Sequence, residues 1–335
     1  MTSRQLVRAV LAGRPVPRVP TGPLAVHLTA ALAGARIEDY TLDPQVMVDC
    51  ICRYHERFHP DAVWLSADTW VTAGAMGAPV AFPAPGQPMA GSGDPLVRRP
   101  ADIDRLPAAD PASLGRMPMM VGALGLLRRR LGDDVFIVGC FDQSPFSLAC
   151  ALADINEVMT LILTDPPFVE ALLERCIEHA AAYAIALGQA GADLLSTGDS
   201  PAGLIGPDLY QQFALPAEQR VFTTVRAACD IPASLHICGN SSHILPAMAT
   251  CGASVLEIDH LVPLDDACRL VPDHITLWGN LDPVGVLRNG TPETIRSAAS
   301  NAIATVRRHG RSRFVLSSGC TLPPDTPPAN IAALM

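Results

Sequence analysis

Two short segments carry side chains suited to holding a soft metal ion. Leu235-His236-Ile237-Cys238-Gly239-Asn240 sets an imidazole and a thiol two residues apart. In a strand such a pair shares one face, and a glycine directly after it lets the chain turn. Ser317-Ser318-Gly319-Cys320 ends another apolar run with a second thiol. If His236, Cys238 and Cys320 converge, they make three ligands with a fourth position open, the pattern of a catalytic rather than a structural zinc. Thiolates favour zinc over magnesium or calcium. Water could take the fourth position, or a carboxylate from Glu257 or Asp259, which share a strand face. The alternative for these residues is a buried cysteine and a hydrogen-bonded core histidine.

Convergence needs elements that bring distant segments to one place. Eight short apolar runs recur: 23–28, 62–66, 135–140, 193–197, 233–237, 254–258, 275–278 and 314–317. Continuous apolar runs of this length suit strands buried on both faces of a parallel sheet. Helical stretches lie between them, opened by Asp165-Pro166-Pro167, Pro207-Asp208 and Thr291-Pro292-Glu293. Eight such units in 335 residues predict an α/β fold, a (β/α)8 TIM barrel occupying residues 1–335 as one domain. No Gly-x-Gly-x-x-Gly follows an early run, which counts against a doubly wound sheet. Residues 1–20 precede the first run and are expected to form an N-terminal helical cap. Residues 74–118, crowded with glycine and proline, are expected as a long insertion after the second strand that roofs the active site or meets a partner.

Catalytic groups of a barrel come from the C-terminal ends of its strands. Beyond the metal set, those ends carry His27, Asp142, Asp199, Asn280 and Asp282, which are expected to bind substrate or to brace the residues that do. Capping and turn chemistry is the competing explanation for such polar residues.

Composition excludes several classes. The net charge is −9, and the one dense basic stretch is Arg128-Arg129-Arg130, so neither nucleic acid nor an anionic membrane is an expected partner. No apolar run approaches the roughly 18 residues of a membrane helix, and nothing reads as a signal peptide; a cytoplasmic location is expected. All 24 Lys and Arg residues are arginine, which removes Schiff-base chemistry and the phosphate-loop lysine. Ten cysteines in such a chain are expected to be free.

The segment 235–240, together with Trp278-Gly279-Asn280-Leu281-Asp282-Pro283 and Ser318-Gly319-Cys320-Thr321-Leu322-Pro323, resembles the uroporphyrinogen decarboxylase superfamily. Gln143-Ser144-Pro145-Phe146-Ser147 and Gly198-Asp199-Ser200-Pro201 extend the likeness, which covers nearly the whole chain. Within that superfamily, which is built on a (β/α)8 barrel, the His-x-Cys and the late Gly-Cys resemble the zinc methyltransferase branch, similar to methylcobalamin:coenzyme M methyltransferases. The resemblance implies that His236, Cys238 and Cys320 bind zinc. The decarboxylase branch carries an arginine-rich N-terminal motif that Arg14-Pro15-Val16-Pro17-Arg18 lacks.

Zinc lowers the pKa of a thiol that reaches it, so the implied reaction moves a methyl group from a methylated corrinoid to a small thiol. No Asp-x-His-x-x-Gly is present to hold the corrinoid, so the donor is expected either free or on a separate corrinoid protein. Two other readings stay open: a decarboxylase without catalytic zinc, and a non-catalytic barrel with a structural metal.

Overall fold

The computed structural model describes residues 1–84 and 86–335; Pro85, inside the expected insertion, lies outside the described residues. Strand β1 is Ala62–Leu65, and β2 (Val80–Ala81) and β3 (Met89–Ala90) form a small antiparallel hairpin. The remaining strands are β4 (Phe136–Gln143), β5 (Leu194–Gly198), β6 (Ala233–His236), β7 (Val255–Ile258), β8 (Thr276–Leu281) and β9 (Phe314–Ser318). Seven of them make one parallel sheet, ordered β1-β4-β5-β6-β7-β8-β9, that curls with helices outside it.

The expected strand at 23–28 does not form. Pro20 and Pro23 have no N–H for a ladder, and the chain turns into a helix at His27–Ala33. Yet the segment just before it stands between the two sheet edges. Leu316 N–H donates to Pro20 O and Gly22 N–H to Leu316 O on the β9 side, while Asp61 and Ala62 N–H donate to Thr21 O on the β1 side. Side chains add to this seam. The Gly22 carbonyl accepts from Trp64 Nε1 at 3.3 Å, Trp278 Nε1 at 2.8 Å and Ser317 Oγ at 2.9 Å. The expected insertion therefore follows the first regular strand, not the second.

Side chains two apart along each strand point inward and fill the sheet's concave side in layers. The bottom layer is apolar: Trp64, Phe136, Leu194, Val255, Trp278 and Val315 cluster with Val7 and Val10 of the helix Ser3–Leu11. That helix closes the N-terminal end of the strands. Its Arg4 and Arg8 each reach the buried Asp193 at 2.7 Å, which Arg128 also pairs. Above the apolar floor lies a polar layer, and above that the strand ends.

The predicted caps at 165 and 291 are present: Asp165 accepts from Phe168 N–H and Thr291 from Thr294 N–H. The helix expected over 209–228 is interrupted by a π-helical turn at Tyr210–Ala214 before resuming as Leu215–Cys229. All ten cysteines are free. Among the described residues, no single helix is long and apolar enough to cross a membrane.

Candidate metal centre and its cavity

Strand β6 ends at His236 and the chain runs on two residues to Cys238, then turns at Gly239, whose φ is +85°. His236 and Cys238 therefore emerge on the same side, above the polar layer. Strand β7 ends one residue before Asp259, and β9 two residues before Cys320. One ligand atom from each of His236, Cys238, Asp259 and Cys320 lies within 4.8 Å of the others. His236 Nε2 is 3.1 Å from Cys238 Sγ, and the two sulfurs are 3.8 Å apart. Two thiolates on one tetrahedral zinc, each about 2.3 Å from the ion, stand roughly 3.8 Å apart, so the donor set fits that ion in both chemistry and spacing.

Each of these four side chains is held from outside. His236 Nδ1 lies 3.0 Å from the Glu257 carbonyl, so that nitrogen carries the proton and Nε2 is left to face the thiols. Asp259 accepts from Gly239 N–H at 2.9 Å and Leu261 N–H at 2.8 Å, and His260 Nδ1 lies 3.0 Å from it. Cys320 owes its place to Gly319, where a Cβ would come within 2.4 Å of His260 N. Without metal, the Cys320 thiol and His236 hold the Cys238 thiol well below its usual range, and Cys320, keeping the shared proton, is pushed up. Burial opposes a charge on His236, but the neighbouring thiolate outweighs it and raises the imidazole to about 9.

Glu257, the other carboxylate considered for the fourth position, belongs to the layer below. Its Oε1 accepts from the hydroxyls of Ser196 and Ser234 on the two preceding strands. It lies outside the group of four donors.

The group opens into a cavity of about 700 Å³ whose floor includes Trp64 and whose roof includes Gln87, Pro88 and Met89 from the hairpin segment. Of the expected insertion, Pro83 and residues 86–89 line this cavity. His27 and Asp142 line this cavity on the side formed by β1 and β4. His27 Nε2 is 2.7 Å from Ala67 O, and burial holds its pKa down. Asp142 accepts from Thr72 N–H at 2.7 Å and Thr72 Oγ1 at 3.1 Å. Beside it Asp68 is gripped by both terminal nitrogens of Arg116.

Asp199, Asn280 and Asp282 are not among the cavity residues. Asp199 is buried behind the wall, accepting from Ser147 N–H and Oγ at 2.7 Å each; burial raises its carboxyl to about 6. Asn280 donates to the carbonyls of Asp259 (3.2 Å) and Val262 (2.8 Å), fixing the loop that delivers Asp259. Asp282 caps the turn after β8 through Val284 and Gly285 N–H. Sequence reasoning passed over His260, Ser196, Ser234 and Thr72. Only His260 had a visible signal, its place directly after Asp259.

The uroporphyrinogen decarboxylase (URO-D) family pattern matches residues 2–335, and the chain belongs to that family. Among its relatives, a methylcobamide:CoM methyltransferase MtbA of Methanosarcina acetivorans is 30% identical over 72% of this chain and 68% of its own length. The MtaA of Methanosarcina barkeri is 28% identical over 100% of this chain and 96% of its own. A uroporphyrinogen decarboxylase of Synechococcus is 30% identical over 87% and 81%. A solved methyltransferase from Methanosarcina mazei superposes with a TM-score of 0.89 at 26% identity, covering 100% of this chain and 97% of its own. By these likenesses the chain is an enzyme of the methyltransferase kind.

Proposed function

We propose that this enzyme moves a methyl group from a methylated corrinoid to a small thiol activated at a zinc ion held by His236, Cys238 and Cys320. The supporting observation is the convergence of those three donors and Asp259 within 4.8 Å at the edge of a roofed cavity. Bound zinc supplies one thing, a lowered pKa for an acceptor thiol at neutral pH. The chain's own residues do the rest. The Glu257 carbonyl fixes which His236 nitrogen faces the site, and Gly239 and Leu261 N–H hold Asp259 where it can occupy the fourth position or yield it to the thiol. Exchanging one anionic donor for another leaves the charge of the site unchanged. The hairpin residues Gln87, Pro88 and Met89 line the cavity through which the acceptor would reach the site.

The corrinoid enters as a substrate, free or on a separate protein. A sulfur–carbon bond forms as the cobalt–carbon bond breaks; the electron pair stays on cobalt and the thiol proton leaves to solvent. Relatives named for CoM support a thiol acceptor. A porphyrinogen decarboxylase would need cations for its substrate's carboxylates, and no arginine or lysine is found among the described residues lining the cavity.

The test is metal content. Purified protein is expected to carry about one zinc per chain, lost in Cys238→Ala and in Cys320→Ala, and to demethylate methylcobalamin only when a thiol is added. Wild-type protein that takes up no zinc refutes the proposal.

A further inference from the structure

Strand β4 does not finish regularly. Its register against β5 shifts between Cys140 and Gln143, and Asp142, inside that bulge, sits at φ +59°. Bulges beside active sites re-aim side chains, and a non-glycine residue in the left-handed region is tolerated where its placement matters. The bulge presents Asp142 to the cavity. Both hydrogen bonds to its carboxylate, from Thr72, go to Oδ2; Oδ1 accepts none among the described residues. Arg116, the cation beside it, spends both terminal nitrogens on Asp68. Burial and the neighbouring Asp68 push the Asp142 carboxyl up to about 7, while the Thr72 hydrogen bonds and the charge of Arg116 oppose the rise.

From this geometry we infer that the acceptor thiol carries a cationic amino group, which pairs with Asp142 Oδ1. The inference rests on the methyl-transfer reading above and deepens it by assigning the acceptor's charge. The described lining offers an anionic tail no arginine or lysine, and His27 is held neutral by burial. An ammonium would give Asp142 Oδ1 a direct partner, and a charge-assisted hydrogen bond out of water is among the stronger polar contacts.

The experiment compares three thiols of equal length on the zinc-loaded enzyme: 2-aminoethanethiol, 2-mercaptoethanol and 2-mercaptoethanesulfonate, with their three-carbon homologues. Methyl transfer from methylcobalamin is followed by absorbance, and thiol binding by calorimetry. The aminothiols are expected to lead by tenfold or more in kcat/KM and in affinity, and Asp142→Asn is expected to erase that lead. A lead for the sulfonate, or equal use of all three, overturns the inference while leaving methyl transfer intact. A preference that survives Asp142→Asn overturns the assignment to Asp142. If no thiol is methylated, the methyl-transfer reading fails, and the order of binding affinities alone decides the inference. The wild-type comparison stands even if the variant does not fold.

Discussion

Gly319→Ala tests how closely the metal set depends on backbone contact. A Cβ built at Gly319 meets His260 N at 2.4 Å, His260 Cβ at 2.9 Å and His260 Cα at 3.0 Å, whereas ordinary contact begins at 3.4 Å. The obstacle is chiefly backbone, so relief requires the 319–320 and 259–260 segments to part by about 1 Å. Those segments carry two of the four grouped donors, and metal–ligand distances tolerate only about 0.2 Å. Parting them is expected to weaken zinc binding by at least 100-fold, beyond the roughly 10- to 100-fold of a lost outer hydrogen bond. Overpacking by one methyl is expected to cost about 1–3 kcal/mol of stability. Competition with a chromophoric chelator reads the first effect and a thermal melt the second. A variant that binds zinc as tightly as the wild type refutes the view that Gly319 sets the position of Cys320.

Two further outcomes follow from the buried acids across the cavity. Arg116→Ala strands Asp68, whose side chain is only 3% exposed, and is expected to cost about 3–5 kcal/mol in a denaturant titration; a loss below about 1 kcal/mol would contradict the ion pair. Asp142 ionises near 4 when unfolded but near 7 when folded, so the unfolded state sheds its proton first and the group destabilises the fold increasingly as pH rises through that window. Burial chiefly sets that shift, with Asp68 adding to it and Thr72 and Arg116 opposing it; Cys140 and Tyr183 also face the carboxylate. The melting temperature of Asp142→Asn relative to wild type is expected to climb from pH 4 to pH 7 and then level off, worth at most about 4 kcal/mol. A flat difference would refute the raised pKa.

The strand ends were legible because an apolar run that stops at a polar residue marks both the strand and where its loop begins. That signal marks His236, Cys238 and Cys320, and it leaves Glu257 and Asp259 as alternatives for a fourth donor. The run at 23–28 misled because apolar content says nothing about hydrogen-bond donors, and Pro23 at its start has none to give a ladder. Glu257 and Asp259 looked equivalent by alternation alone. The difference is height: Glu257 is still inside the strand, level with two serine hydroxyls, while Asp259 lies past its end and is captured by loop amides. The orientation of Asp142 depends on one extra residue in β4, and no pattern of residue types announces a bulge.

The seam at residues 20–24 has an optical consequence. Two of the chain's three tryptophans, Trp64 and Trp278, donate their indole N–H to the same carbonyl, that of Gly22, and stack edge to face at 6.0 Å. Parting of β1 from β9 would break those bonds and admit water to both rings, so native emission reports on the join directly. Because β9 leads to Cys320, metal titrations followed by that fluorescence would show whether a bound ion also fastens this seam.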